Sequence, residues 1–388
     1  MADRLQETDS RKGNHMRPTT LDPTKTGHEA EALELGLRNR IIGQEDAIHQ
    51  VVEMFQTYLS GLSSPRRPIA NLMFLGPTGS GKTRLVEAVA ECLLKDSRAI
   101  VKIDCGEFQH THEVAKLIGS PPGYIGHRET SPLLSQEALD RHHTETVKMS
   151  IVLFDEIEKA SDAVWNLMLG ILDKASLTLG DNSKVDFSRT MVFMTSNIGA
   201  REMTALMKPG LGFTGASKNR FDSAEIDEPC RTEMARNGID AARRKFTPEF
   251  INRIDKMVVF RPLNGKDLNR ILEIELNSVR ERVSSVDNGP HFVFSVTASG
   301  KHFLLSEGTN VEYGARHLKR AIDRLVVQPL SRLIASGQIL DGDVVEIDYM
   351  PQSATLTFTR QDEGFCVQGL ARLVSSAAVS QVAFATAS

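Results

Sequence analysis

Residues Gly76 to Thr83 read GPTGSGKT, and the segments on either side decide what this loop is. The run before it, ANLMFLG (Ala70 to Gly76), is short and apolar and follows the loop SSPRRP (Ser63 to Pro68), the pattern of a buried strand. The run after it, KTRLVEAVAECLL, carries the apolar period of a helix. A GxxxxGK[ST] segment between a strand and a helix is a phosphate-binding loop. Gly76, Gly79 and Gly81 permit the tight turn that points backbone N–H groups inward, and Pro77, Thr78 and Ser80 complete its wall. Lys82 is expected to pair with the β- and γ-phosphates of ATP and the Thr83 hydroxyl to hold Mg²⁺.

Further strands follow at helical intervals: AIVKID (Ala99 to Asp104), SIVLFDE (Ser150 to Glu156) and TMVFMTSN (Thr190 to Asn197). Short apolar runs separated by helices predict an α/β fold, a P-loop NTPase with a parallel sheet covered by helices on both faces. In IVLFDE the apolar residues end in two carboxylates. Asp155 is placed to face Mg²⁺, through water, and Glu156 to polarise the attacking water. Asn197 ends the fourth strand near the same edge. Alone it reads as a turn former; in this series it is a candidate to position water.

Upstream, residues 1–30 are polar and are expected to form a mobile arm. A helical pattern starts at Glu31, breaks at IIGQ (Ile41 to Gln44) and resumes with Ile48, Val51, Val52, Phe55, Tyr58 and Leu59 on one face. The large unit is set at 31–263. From Asn264 the pattern changes: GKDLNRILEIELNSVRERV is one long helix, HFVFSV a strand, ARHLKRAIDRLVVQPLSRLIASG a second long helix, and DVVEIDY with ATLTFTR a closing strand pair. This predicts a small α+β domain over 264–360, followed by a tail, 361–388, read as a loose helix or disorder.

The net charge of −4 gives no electrostatic support to a nucleic-acid-coating role. The four cysteines, Cys92, Cys105, Cys230 and Cys366, form no CxxC pair and no zinc spacing, and are expected to be free thiols, with Cys92 on a helix and Cys105 on a strand. No signal-peptide core and no run long enough for a membrane span is visible, so a cytoplasmic protein is expected.

GPTGSGKT, IGSPPGYIG, VLFDEIEKA, MTSNIGA, FTPEFINRID, VVFRPL and YGARHLKRAI occur in this order, and the chain from Ile41 to about Tyr349 resembles the AAA+ ATPases of the Clp/heat-shock unfoldase group, in particular their second ATPase module. The resemblance implies an ATP-dependent unfoldase or chaperone working as a homo-oligomeric ring, expected to be hexameric, on unfolded protein substrates. It makes Arg253 the arginine finger reaching a neighbouring subunit's γ-phosphate, whereas without the motif Arg253 reads as a surface arginine paired with Asp255 or Glu249. It makes Arg316 the sensor that reaches the nucleotide from the small lid domain, and Ile41 and Ile42 adenine-side contacts. Tyr124 and Ile125, between glycines in PPGYIG, take the part of the substrate-gripping pore loop. Leu211-Gly212-Phe213 fits either a docking loop for a ClpP-like peptidase or a glycine turn with one buried Phe.

LTLGDNSKVDF (Leu177 to Phe187) departs from the family's usual glycine-rich turn. The competing reading is a nucleic-acid-associated AAA+ protein, a clamp or helicase loader or a transcriptional activator. Against it stand the absence of a helix-turn-helix, zinc ligands, a GAFTGA loop and a strongly basic domain.

Overall fold

A computed structural model of the chain describes residues 22, 25–120, 131–145, 147–207, 228–285, 289–309 and 314–361. Tyr124, Ile125, Leu211, Gly212, Phe213 and Cys366 lie outside the described residues. In chain order the large unit contains α1 (His28–Arg38), α2 (Glu45–Leu59), β1 (Ala70–Leu75), α3 (Lys82–Leu94), β2 (Val101–Asp104), α4 (Ala115–Ile118), α5 (Gln136–Asp140), β3 (Ser150–Asp155), α6 (Asp162–Lys174), the hairpin β4 (Ser176–Thr178) and β5 (Lys184–Asp186), β6 (Thr190–Ser196), α7 (Ala200–Met207), α8 (Glu228–Lys245), α9 (Pro248–Ile251) and β7 (Lys256–Val259). The small unit follows with α10 (Gly265–Ser284), β8 (Val293–Val296), α11 (Ala298–Gly308), α12 (Gly314–Ile322), α13 (Gln328–Ala335), β9 (Val344–Met350) and β10 (Thr355–Gln361).

The main sheet is parallel, in the order β2-β3-β6-β1-β7. Its central strands β1, β3 and β6 are buried on both faces because helices cover both, and the period of two assigns each residue to a side. Leu72, Phe74, Ile151, Leu153, Met191 and Phe193 pack under α1, α2 and α3. Met73, Leu75, Val152, Phe154, Val192 and Met194 form the opposite core with α6 and α8. Burying each such side chain contributes roughly 1.5–3 kcal/mol.

β7, four residues with a lysine at its start, was not expected from the sequence. It extends the sheet beyond β1, with Leu72 to Leu75 paired to Lys256 to Val259. α1 begins at His28 and buries Ala30, so the helix starts inside the stretch expected to be an arm. Leu59, expected on the core face of α2, is exposed, because it ends the helix where the chain turns away. Cys105 sits just after β2, in a short 3-10 turn, rather than in the strand.

The small unit has its own core, built by Leu268, Leu272 and Leu276 of α10, Phe294 and Val296 of β8, Leu318 and Ile322 of α12, and Val345 and Ile347 of β9. β8 pairs with β9 in parallel and β9 with β10 antiparallel. α10 starts with a reciprocal capping box. The Asn264 side chain accepts from Asp267 N at 2.8 Å and Asp267 Oδ2 accepts from Asn264 N at 3.2 Å. The helix predicted over ARHLKRAIDRLVVQPLSRLIASG is continuous but widens to a π-turn at Asp323–Val327. Pro329 follows at the start of α13. A proline has no N–H to donate, and the wider turn accommodates it within the helix.

Candidate nucleotide-binding site

The phosphate-loop residues gather at the C-terminal edge of β1, β3 and β6. Gly76, at φ +150, passes so close to the exit of β7 that a Cβ would lie 2.5 Å from the Phe260 carbonyl oxygen. Any side chain there would push the loop off the sheet. Lys82 opens α3 and is 7% exposed. Its Nζ donates to the carbonyls of Gly76 (2.7 Å) and Pro77 (2.9 Å) and to Asn197 Oδ1 (2.9 Å). Burial lowers its pKa to about 8, against the opposing pull of Glu158, Asp155 and Glu156.

Asp155 is held from three sides. Thr195 Oγ1 donates to Oδ1 at 2.5 Å, Thr83 Oγ1 to the same oxygen at 3.3 Å, and Lys102 Nζ lies 3.0 Å from Oδ2. Burial alone would raise the pKa of this carboxyl. The hydrogen bonds from Thr195, Lys102 and Thr83, with the lysine's charge, outweigh it and hold the pKa below the usual value. Sheet register explains the meeting, since Phe154 pairs with Met194 and brings the next residues, Asp155 and Thr195, side by side.

Glu156 follows in the left-handed region, φ 57 and ψ 48, a conformation costing a non-glycine residue of order 1 kcal/mol. It turns the chain sharply off the end of β3. Its carboxylate accepts from Asn197 Nδ2 at 3.0 Å and forms an ion pair with Lys159. Asn197 N donates to Glu158 Oε1 at 3.0 Å, fixing the amide between Lys82 and Glu156. One side chain thus joins Lys82 to Glu156.

These groups suit a magnesium nucleotide. The start of α3 presents helix N-terminal amides and a buried ammonium, which favour anions. Thr83 and Asp155 offer hard oxygen donors 3.3 Å apart, the donor type Mg²⁺ takes. Ile41 and Ile42 are buried, in the segment joining α1 to α2.

The two arginines stand differently. Arg316 is exposed in the first turn of α12, whose Ala315 N donates to the Gly79 carbonyl at 3.1 Å. Its charge bears on Lys82 and disfavours the ammonium. Arg253 lies at the opposite end of β1. Its guanidinium is 3.1 Å from Glu249 and 3.9 Å from Asp173, and its Nη1 donates to Glu249 O at 2.9 Å. Asp255, the other partner weighed from sequence, pairs with Arg67 at 3.0 Å. The Arg253 carbonyl accepts from buried Asn71 Nδ2 (3.1 Å) and from Arg67 (3.2 Å).

Residues 67–257 match the model of the AAA domain (Cdc48 subfamily), and residues 263–347 match that of the C-terminal, D2-small domain of ClpB protein. The chain belongs to the Clp/heat-shock group of AAA+ ATPases, as a D2-like module. This AAA+ chain is 38% identical over 320 residues to the ATP-dependent Clp protease ATP-binding subunit ClpC of Staphylococcus saprophyticus, covering 82% of this chain and 36% of that protein. It is 37% identical over 331 residues to chaperone protein ClpB 1 of Thermosynechococcus vestitus, covering 85% and 35%. The AAA+ module therefore spans about a third of the length of these curated relatives. Among solved structures, the S. cerevisiae Hsp104:casein complex in its extended conformation superposes with a TM-score of 0.71 at 30% identity, over 87% of this chain and 53% of that one. The closed-state Hsp104 with ATPγS and FITC casein gives 0.69 at 32% identity, over 85% and 52%.

Sequence reasoning on this AAA+ module passed over several of the groups that build the site. Lys102 carried a visible signal, a charge inside an apolar strand. Gln44, 4% exposed, and Asn71, fully buried, are polar residues next to recognised motifs. Their partners are distant in sequence, so only the fold reveals them. Cys92 and Cys105 are free thiols, and Cys230 is buried. Burial pushes the Cys105 thiol far up, which makes it unreactive. Among the described residues no helix is long and apolar enough to cross a membrane.

Proposed function

We propose that this module binds and hydrolyses ATP and uses the cycle to pull polypeptide, as one subunit of a ring. The observation that carries the reading is the Lys82–Asn197–Glu156 series of hydrogen bonds beside the Thr83–Asp155 pair. Lys82 would hold the β- and γ-phosphates, and Thr83 with Asp155 the metal. Bound Mg²⁺ neutralises charge on the phosphate oxygens. Glu156 accepts the proton of the attacking water, and Asn197 holds that carboxylate in place. Arg253, on the other end of the sheet from its own subunit's loop, would serve a neighbour's nucleotide. Arg316 would report the γ-phosphate to the small domain.

The relatives support the mechanical half of this reading. Two are named a Clp protease subunit and a chaperone, and the Hsp104 structures were solved with casein. A hexameric ring in the cytoplasm, polypeptide gripping by Tyr124 and Ile125, and docking of a ClpP-like peptidase through Leu211, Gly212 and Phe213 are carried over from the resemblance. No relative named here is a loader or a transcriptional activator. Glu156→Gln should bind ATP and not turn it over, and normal turnover would end the reading. Stimulation of the ATPase by unfolded casein rather than by DNA tests the substrate class.

A further inference from the structure

We infer that Gln44 is a positioning residue of the nucleotide site, and that with the first turn of α12 it lets the small domain grip the phosphate-binding loop by its backbone. What the grip controls rests on the nucleotide reading above; the grip itself is built from contacts that reading did not use.

Gln44 is 4% exposed, and its side-chain amide is fully engaged. Nε2 donates to the carbonyls of Ser80 (3.0 Å) and Arg261 (2.9 Å), while Oε1 accepts from Arg261 N at 3.2 Å. Two carbonyls and one N–H surround it, so only one orientation of the amide satisfies all three. Arg261 extends the connection. Its Nε donates to Gly43 O at 2.5 Å, and its Nη2 lies 3.6 Å from Asp267 Oδ2. Asp267 closes the capping box of α10, the first helix of the small domain. Ser80 of the loop is thereby tied to the root of that domain through Gln44, Arg261 and Asp267.

The adjacent carbonyl is taken by the same domain from another direction. Ala315 N, in the first turn of α12, donates to Gly79 O at 3.1 Å. Gly314 has φ +49, and a Cβ on it would lie 2.7 Å from Gly79 O, so a glycine is required for this approach. The carbonyls of Gly76 and Pro77 are held within the large unit by Lys82, whereas those of Gly79 and Ser80 are held by groups of, or attached to, the small domain. Rotation of the small domain must therefore pull on two consecutive peptide groups of the loop. This connection is separate from the Arg316 side chain.

The test uses the full chain. Q44A and G314A are each examined for amide hydrogen exchange and for binding of a fluorescent ADP analogue. Q44A should accelerate exchange of the Ala315 amide, although residue 315 lies in the other domain. G314A should likewise accelerate exchange at Ile41 to Gln44. Each should lose about tenfold in nucleotide affinity, the size expected for one buried hydrogen-bonded contact, and the double variant should lose no more than the worse single one. A purely local packing role for Gln44 would lower thermal stability and leave Ala315 protected, which overturns the inference. Affinity losses that multiply in the double variant overturn it too. If Q44A does not fold, G314A, which leaves the large unit unaltered, answers through exchange at Ile41 to Gln44. A wild-type chain that binds no adenine nucleotide would instead refute the nucleotide reading, and the exchange experiment on unliganded protein would still decide the grip.

Discussion

Asn197 Nδ2 donates to Glu156 Oε1 at 3.0 Å while Asn197 Oδ1 accepts from Lys82 Nζ at 2.9 Å, so a single amide orients both the candidate base and the buried lysine proposed to bind phosphate. Its two ends cannot be exchanged, since one faces a carboxylate and the other an ammonium. Asn197→Asp would set a second carboxylate against Glu156. Asn197→Ala should lower kcat about 100-fold, within the usual range for a displaced general base, with a much smaller change in nucleotide affinity. Single-turnover hydrolysis alongside equilibrium binding separates the two effects.

With Lys82 as the proposed phosphate ligand, its pKa of about 8 predicts nucleotide binding that depends on pH in an accessible range. Phosphate binds the ammonium form. Affinity should be flat below pH 8 and fall by up to tenfold per unit above it, until the raised pKa of the bound state is reached. The effect on stability has the opposite sign. The folded protein loses this proton before the unfolded chain does, so between about pH 8 and the ordinary lysine value Lys82 makes stability rise with pH. Calorimetric titration of ADP from pH 7 to 9.5, with Lys82→Met as the control that abolishes the slope, checks the prediction.

Thr195 is 1% exposed and donates to Asp155 while accepting from Glu156 N at 3.0 Å. Thr195→Val keeps the shape and removes both bonds, with an expected cost of about 1–3 kcal/mol at neutral pH. Asp155 has a lowered pKa, so its contribution is present above the unfolded value and is lost as pH falls through the folded one. The gap in stability between Thr195→Val and the parent should therefore narrow in acid. Urea unfolding at pH 7 and near pH 3 measures this.

Asn71, buried in β1, donates to the carbonyls of Leu172 (3.0 Å) and Arg253 (3.1 Å). It fixes the backbone of the residue proposed to act on a neighbour. Asn71→Ala should cost about 1–3 kcal/mol and should also weaken that action. Arg253→Ala should abolish turnover in assembled protein while leaving nucleotide binding intact. ATPase activity measured against protein concentration distinguishes the two: Asn71→Ala lowers the plateau, and Arg253→Ala removes it.

The central strands were legible in the sequence because each is a short apolar run buried on both faces. The acids at the end of β3 were legible because a strand end next to a phosphate loop leaves them few other places. β7 escaped notice: KMVV begins with a lysine, and its pairing with β1 joins segments far apart in the chain. Gln44, Lys102 and Asn71 escaped for a related reason. A polar residue inside an apolar segment signals that a partner exists, but the partner's identity comes from sheet register and helix packing. Arg253 is the reverse case, a residue visible through its motif whose intrasubunit pairing with Glu249 was equally readable from sequence.

The backbone of Glu156 has a consequence for how this protein ages in a warm tube. Glutamate is poorly suited to positive φ, whereas asparagine tolerates it and glycine adopts it freely. Replacing Glu156 by asparagine should relieve the turn and raise the melting temperature by a degree or more, while removing the candidate base. On the proposed mechanism this variant is inactive, and it would outlast its parent on heating. Thermal tolerance and turnover would be opposed at one peptide unit, and selection for heat resistance without a demand for work would favour losing the acid.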